Sequence, residues 1–155
     1  MIQDIEPMKL DNSYSADMTA DGDSIIFIFN EREVVCRGDC ADTFPAFGEI
    51  GAVPELIYLF SIDGQKYFLC TDTAGVNIPE GFIRTDVKSL RRCADIPKHE
   101  VFAAATAYHL YKWYASNRFC GECGGVLIRA TAERALLCPH CGELVYPRIN
   151  PAVIA

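Results

Sequence analysis

The chain has 155 residues, half of them hydrophobic, with a formal net charge of −7 and a pI near 4.9. Such a chain can bury a substantial core, and its acidity argues against a nucleic-acid backbone as the main partner, because phosphate contacts need clustered Lys and Arg. It contains no apolar run of membrane-spanning length and no signal peptide. These features predict a soluble, cytoplasmic protein without a membrane partner.

The first third of the chain alternates polar turns with strand-like runs. Residues 1–23 are polar and acidic and end in Asp-Gly-Asp, which precedes β-branched and aromatic residues at 24–30. That run predicts a strand, and 34–36 can continue the sheet. Residues 41–53 contain Pro and Gly and predict a loop.

Two further runs predict a β-hairpin. They occupy 55–62 and 65–70 and flank an Asp-Gly pair at 63–64, which favours a two-residue hairpin turn. Residues 75–81 then predict another loop.

Two helices are predicted next. Residues 85–92 can form a short helix with Asp86 near its positive end. Pro97 suits the first turn of a long helix that runs to about Ser116. Its predicted packing face consists of Val101, Ala104, Ala105, Tyr108, Tyr111 and Trp113.

Two cysteine pairs near the C-terminus form a zinc-ribbon pattern. Cys120 and Cys123 make the first pair, Cys138 and Cys141 make the second, and residues 124–137 between them read as a β-hairpin. A hairpin brings two such pairs together, so four sulfurs can surround one Zn²⁺. Four protein ligands leave no open position for water or substrate, so the predicted zinc is structural.

Other interpretations of the cysteines are weaker. Two disulfides would need an oxidising compartment, and redox-active Cys-x-x-Cys motifs normally occur singly. His140 could replace one thiolate, although four sulfurs suffice. Cys36 and Cys40 could form a second metal site or a disulfide, but no partner pair lies nearby. We interpret the four remaining cysteines as buried apolar groups: Cys36, Cys40, Cys70 and Cys93.

The last residues resemble the start of another strand. After a ribbon strand at 144–146, residues 147–155 read Pro-Arg-Ile-Asn-Pro-Ala-Val-Ile-Ala. An exposed, unfinished apolar strand is a poor chain end. The sequence therefore predicts a fragment cut just inside a further domain.

Three motifs occur in combination near this end. They are Arg-Phe-Cys-Gly-Glu-Cys-Gly-Gly at 118–125, Leu-Cys-Pro-His-Cys at 137–141 and Tyr-Pro-Arg-Ile-Asn-Pro-Ala-Val-Ile at 146–154. Together they resemble the middle of the NADH pyrophosphatases, a family of Nudix hydrolases. The Ser-Leu-Arg segment at 89–91 and the helix before the ribbon are also similar, whereas 1–80 match only in outline.

This resemblance implies an α+β fold with four parts. An N-terminal Nudix-like domain with a mixed or antiparallel sheet would occupy 1–95, and a connecting helix would occupy 96–117. The zinc ribbon would occupy 118–148. Residues 149–155 would be the stub of a missing catalytic Nudix domain.

The resemblance also implies an activity. Family members hydrolyse NADH or NAD⁺ to nicotinamide mononucleotide and AMP, and bacterial members can remove NAD caps from RNA. They need Mg²⁺ or Mn²⁺ and commonly form homodimers. The cofactors implied here are thus a structural Zn²⁺ in the ribbon and Mg²⁺ or Mn²⁺ in the missing domain.

The Nudix box, whose clustered carboxylates hold the catalytic metals, is absent from the sequence. Glu31-Arg32-Glu33 lacks the remaining carboxylates and their spacing. No catalytic residue is therefore predicted, and the chain alone is expected to be inactive. In the full enzyme, this chain would supply a zinc-stabilised scaffold, a dimer surface and part of the wall of the substrate site.

Four residues are candidate substrate contacts. By resemblance, Glu133, Tyr146 and Arg91 would face the dinucleotide, and Arg37 is a further candidate. Arginine suits phosphate, tyrosine can stack on a base, and glutamate can accept hydrogen bonds from ribose or an amide. The alternative is that these are surface charges and a packed aromatic ring.

Two other functions remain open at this stage. One is a free-standing zinc ribbon that binds nucleic acid or protein, which the acidic charge disfavours. The other is a dithiol redox protein, which a closed set of four thiolates disfavours.

Overall fold

The computed structural model describes residues 4–38, 44–51, 53–73, 76–93 and 96–148. The fold is α+β, as predicted: a six-stranded mixed sheet, a long helix and a small three-stranded sheet. The large sheet contains β1 (Leu10–Asp11), β2 (Ile25–Asn30), β3 (Glu33–Arg37), β4 (Leu56–Ile62), β5 (Gln65–Cys70) and β6 (Phe82–Asp86). The other elements are α1 (Phe47–Ile50), a 3-10 helix (Ser89–Arg92), α2 (Lys98–Ser116), β7 (Ile128–Arg129), β8 (Leu136–Leu137) and β9 (Leu144–Val145).

The large sheet has the strand order β1-β4-β5-β2-β3-β6. Strands β2 and β5 are parallel, and the other neighbours are antiparallel. Both faces of β2 are buried: Phe27 and Phe29 belong to one core cluster, whereas Ile26 and Ile28 belong to the other. Burial on both faces explains why this strand is a continuous apolar run without alternation.

The predicted hairpin at 55–70 is confirmed. Strands β4 and β5 pair across a two-residue turn, in which Asp63 and Gly64 have φ values of 47° and 83°. Positive φ at both positions is the geometry that an Asp-Gly pair favours.

The predicted long helix is also confirmed, and α2 contributes to two cores. Pro97 is the residue that precedes its first turn. Ala103, Ala104 and Leu110 pack against the large sheet, whereas Trp113, near its end, packs among residues of the small sheet. Of the predicted packing face, Ala104 and Trp113 are buried, and the others are half-buried: Val101, Ala105, Tyr108 and Tyr111.

The predicted helix at 85–92 is wrong. Thr85 and Asp86 end strand β6, where they pair with Val34 and Glu33, and only the following residues form a 3-10 helix. The Asp86 carboxylate accepts the Lys88 N–H at 2.7 Å, so it stabilises the turn that ends the strand.

The loop predicted at 41–53 contains a helical turn, α1. Glu49 stabilises its start, because its carboxylate accepts the Ala46 N–H at 2.9 Å. Residues 39–43 and 52 lie outside the described part of the chain. The two-residue strand β1 lies in the polar, acidic segment at 1–23, for which no strand was predicted. Among the described residues, no helix is long and apolar enough to cross a membrane.

Candidate metal centre and adjoining residues

The two cysteine pairs sit in knuckles with the same backbone hydrogen bonds. In the first, the Cys120 N–H donates to the Gly125 carbonyl at 2.7 Å, and the Gly124 N–H donates to the Cys120 carbonyl at 2.9 Å. The second repeats this pattern, with bonds from Cys138 N–H to the Glu143 carbonyl (2.8 Å) and from Gly142 N–H to the Cys138 carbonyl (2.9 Å). Each knuckle is therefore specified locally by a Cys-x-x-Cys-Gly sequence.

A glycine closes each knuckle because the backbone there is left-handed. Gly124 has φ 73° and Gly142 has φ 82°, a region that side chains disfavour. The predicted hairpin between the knuckles is confirmed, since β7 pairs antiparallel with β8. Strand β9 then pairs with β8 and completes the small sheet.

The hairpin brings the four predicted sulfurs together. The Sγ atoms of Cys120, Cys123, Cys138 and Cys141 all lie within 4.8 Å of one another. The Cys120–Cys141 pair is 3.6 Å apart and the Cys123–Cys138 pair 3.4 Å. A tetrahedral thiolate site with Zn–S bonds of about 2.3 Å has sulfurs about 3.8 Å apart. The cluster thus has the dimensions of a site for one metal ion.

The four cysteines are free thiols, so the two-disulfide alternative is not realised in this structure. Backbone N–H groups of Cys141 and His140 lower the pKa of the Cys138 thiol to about 6, because they donate to its sulfur. A backbone N–H also reaches Cys120 Sγ, from Glu122 at 3.4 Å. Such donors favour thiolates, the form that binds metal.

Apolar residues support the cluster from one side. Cys120 and Cys138 are buried with Trp113, Leu127 and Leu136, whereas Cys123 and Cys141 are exposed. Helix α2 therefore supplies part of the wall behind the metal ligands. Exclusion of water there strengthens the interaction of thiolates with a cation.

Gly125 faces the sulfurs directly. A Cβ atom at this position would lie 3.2 Å from Cys138 Sγ and 3.4 Å from Cys123 Sγ. A side chain here would force the sulfurs to shift by a few tenths of an ångström, a constraint separate from the left-handed backbone at Gly124.

The loop between β7 and β8 anchors the small sheet to the large one. Arg134 in this loop donates hydrogen bonds to the Leu59 carbonyl and, at 2.5 Å, to Asn12 Oδ1. Arg129 forms an ion pair with Glu55 at 2.7 Å. Burial lowers the pKa of the Arg134 guanidinium. Sequence reasoning missed Arg134, because an arginine in a polar loop has no local sign of burial.

A β-bulge explains why the Leu59 carbonyl is available. The register of β4 and β5 shifts between Tyr58 and Phe60, which leaves Leu59 without a cross-strand partner. The small sheet also contacts the N-terminal segment, because the Tyr14 hydroxyl donates to the Ala130 carbonyl at 2.8 Å.

Two of the predicted substrate contacts lie together on the small sheet. The Tyr146 hydroxyl donates to Glu133 Oε1 at 3.0 Å, and both side chains are exposed. The hydrogen bond to the Glu133 carboxylate raises the pKa of Tyr146. Glu133 precedes Arg134, so the anchoring of that loop also positions Glu133.

Arg37 lies elsewhere. It is on β3, which is separated from β4 by β5 and β2, and it pairs with Glu49 at 2.7 Å. Its guanidinium also lies over the Phe82 ring, 4.5 Å from the centroid. The structure thus gives Arg37 a structural partner and does not bring it to the Glu133–Tyr146 pair.

Other predicted residues fall partly outside the described part of the chain. Arg91 is in the 3-10 helix, but its side chain is outside that part, as are Cys40 and residues 149–155. Cys36 and Cys70 are buried, as predicted, and Cys93 is half-buried. Burial raises the pKa of the Cys70 thiol to about 11.

Comparisons with known proteins agree with this site. Residues 115–146 match the family model of the NADH pyrophosphatase zinc ribbon domain. NAD-capped RNA hydrolases NudC are 40% identical over 70 residues in Pectobacterium carotovorum, 38% over 71 in Enterobacter sp. and 35% over 71 in Shigella dysenteriae. These alignments cover 45–46% of this chain and 27–28% of the relatives' length. Residues 115–146 are therefore similar to the zinc ribbon of the NADH pyrophosphatases, and the chain spans little more than a quarter of the length of these relatives.

Proposed function

We propose that this chain forms the N-terminal and zinc-ribbon part of an NAD(H) pyrophosphatase. The intact enzyme would hydrolyse NADH or NAD⁺ to nicotinamide mononucleotide and AMP, and NAD-capped RNA would be a further substrate. The observation that carries this proposal is the four-sulfur cluster inside a matched NADH pyrophosphatase zinc ribbon, with Glu133 and Tyr146 exposed on the same module.

The ribbon would hold one Zn²⁺ through Cys120, Cys123, Cys138 and Cys141. The separations of the sulfurs fit this ion. Zinc in such a site crosslinks the two knuckles. In small zinc modules the ion contributes about 10 kcal/mol or more of apparent folding free energy.

Glu133 and Tyr146 would form part of the substrate wall. The Tyr146 ring is 48% exposed, so one face can stack on a base. The Glu133 carboxylate orients the phenol and retains acceptor capacity for a ribose hydroxyl or an amide. Arg91, in the Ser-Leu-Arg segment, is proposed as a phosphate contact from the large-sheet domain, whereas the pairing of Arg37 with Glu49 disfavours it as one.

Hydrolysis would take place in a catalytic Nudix domain that these residues do not supply. That domain would hold the Mg²⁺ or Mn²⁺ ions that neutralise the pyrophosphate and activate water. Residues 1–95 would form the Nudix-like domain, 96–117 the connecting helix and 118–148 the ribbon. The enzyme would act as a homodimer in the cytoplasm, where reducing conditions keep eight cysteines as thiols or metal ligands.

Metal analysis and NADH titration of the purified chain test this function. We expect one zinc per chain, weak NADH binding and no hydrolysis with Mg²⁺ or Mn²⁺. Glu133→Gln and Tyr146→Ala should weaken NADH binding several-fold, whereas Glu122→Gln, an exposed glutamate in the first knuckle, should not. Zinc-free folded protein, or salt-dependent binding of unrelated RNA without NADH binding, would contradict the proposal.

A further inference from the structure

A cavity of about 410 Å³ opens between the 3-10 helix and α2. Its lining comes from the β2–β3 turn, the end of β6, the 3-10 helix and the part of α2 between Val101 and His109, without a residue of the ribbon. Volumes of this size are typical of sites for small molecules. The cavity is therefore separate from the Glu133–Tyr146 pair and has room for a ligand.

Cations dominate the rim of this cavity. Arg32, Lys88 and Arg92 line it, against a single carboxylate, Asp86. Asp86 is already engaged, because its Oδ1 accepts the Lys88 N–H at 2.7 Å and its Oδ2 lies 3.9 Å from Arg32 Nε. Within the described part of the chain, Lys88 and Arg92 have no carboxylate partner.

This concentration of positive charge contrasts with the whole molecule. The chain has 21 acidic and 14 basic residues, so three cations beside one carboxylate do not reflect its average composition. Unpaired cations around a concave surface attract an anion, and arginine in particular suits phosphate oxygens. The rim therefore favours a phosphate or a similar anionic group.

The wall of the cavity has a different chemistry. Leu90 is 1% exposed and forms part of the wall, and Val101 and Ala105 of α2 continue the apolar surface. Tyr108 adds an aromatic ring that is half-buried. Inorganic phosphate would leave this surface in contact with water, whereas a ligand with a flat ring would cover it. A cationic rim above an apolar, aromatic wall thus suits an anion joined to a heterocycle.

We propose that this cavity binds a nucleoside monophosphate. Its phosphate would contact Lys88, Arg92 and Arg32, and its base would lie against Tyr108 and the α2 wall. The cavity shares no residue with the Glu133–Tyr146 pair, although its Leu90 and Arg92 flank Arg91, the phosphate contact named in the proposed function.

Calorimetric titration of the 155-residue chain at low salt tests the proposal, with AMP, inorganic phosphate and adenosine as separate ligands. We expect AMP to bind one to one, at least about tenfold more tightly than phosphate or adenosine. The double variant Lys88→Gln, Arg92→Gln should weaken AMP binding by at least about tenfold. Both side chains are exposed, so the variant should remain folded, which circular dichroism checks.

Two variants serve as controls. Lys112→Gln removes an exposed cation of α2 outside the cavity and should leave AMP affinity unchanged. Glu122→Gln removes an exposed carboxylate of the ribbon outside the cavity and should also leave it unchanged, whereas Glu133→Gln tests whether AMP binds at the ribbon instead. AMP binding no tighter than phosphate, equal affinity in the double variant, or loss of affinity only in Glu133→Gln would each overturn the proposal. If the double variant unfolds, Arg32→Gln provides the same test.

Discussion

Individual residues around the sulfur cluster are constrained by space as well as by chemistry. Gly125 illustrates the first constraint, since the sulfurs of the two knuckles occupy the volume that a side chain would need. Gly121 lies in the same knuckle, but a Cβ there would meet no atom within 4 Å. The two glycines therefore form a matched pair for mutation.

Gly125→Ala should weaken zinc binding by about tenfold, because the sulfurs must move to admit the methyl group. Gly121→Ala should bind zinc like the wild type. Competition with a chromophoric chelator measures both affinities. If Gly125→Ala and Gly121→Ala bind zinc equally tightly, the sulfurs admit the methyl group without a loss of zinc affinity.

A second residue, Glu100, is unusual because its carboxylate is buried at the start of α2. It accepts the Tyr67 hydroxyl at 3.1 Å, but its Oε2 is buried without a partner among the described residues. Burial raises the pKa of this carboxyl group. The folded state therefore binds a proton here more readily than the unfolded state does, and this contribution to stability declines as pH rises through the raised pKa.

Glu100→Gln should stabilise the protein at neutral pH by about 1 kcal/mol, since the amide retains an acceptor for Tyr67 without a buried charge. The gain over wild type should shrink as pH falls toward the pKa of an unfolded glutamate. Urea unfolding of both proteins across this pH range gives the difference. A gain that grows at low pH would contradict this account.

At the scale of elements, the bulge in β4 and the β7–β8 loop together connect the large sheet to the ribbon. The bulge leaves Leu59 without a cross-strand partner, and Arg134 of the ribbon donates a hydrogen bond to the Leu59 carbonyl. Helix α2 provides a second connection, because its buried face passes from the large sheet to Trp113 beside the ribbon. The orientation of the ribbon thus depends on polar contacts, among them the Arg134–Leu59 hydrogen bond, and on the apolar packing of Trp113.

Arg134→Met should lower the free energy of unfolding by about 1–3 kcal/mol, because the Leu59 carbonyl loses its donor while the apolar stem is retained. Arg118→Met replaces an exposed arginine of the ribbon and should change it little. Hydrogen exchange should accelerate at the β7–β8 loop only in the first variant. The same exchange in both would show that Arg134 does not hold the ribbon in place.

For the whole molecule, the separation of the ribbon core from the two cores of the large sheet predicts a stepwise response to metal loss. Trp113 is the single tryptophan of the chain and belongs to the ribbon core. Among the described residues, the buried members of the large-sheet cores are different residues, and none of them belongs to the sulfur cluster. Removal of zinc should therefore open the ribbon and leave the large sheet folded.

Addition of EDTA should shift Trp113 emission to longer wavelength as the ribbon opens, with most far-UV circular dichroism retained. Zinc should reverse the shift, and magnesium should not, because it prefers oxygen ligands. Simultaneous loss of both signals would indicate that the ribbon and the large sheet unfold as one unit.

Local patterns predicted much of this molecule. The knuckles, the Asp-Gly hairpin and the helix after Pro97 depend on neighbouring residues, so their sequences contained the necessary information. The last two residues of strand β6, Thr85 and Asp86, were predicted as helix because the pairing of β6 with β3 lies about fifty residues away in sequence. Arg134 and Glu100 were missed for the same reason, since their burial depends on distant elements.

The parallel pairing of β2 with β5 has a consequence for biosynthesis. Ile25 lies opposite Tyr67, so the central strand lacks its neighbour until the later hairpin has been translated. As the protein emerges from the ribosome, the hydrophobic edge of β2 is open to mispairing for the time needed to add about forty residues. Chaperone dependence during translation should accordingly be greatest before residue 70 leaves the exit tunnel.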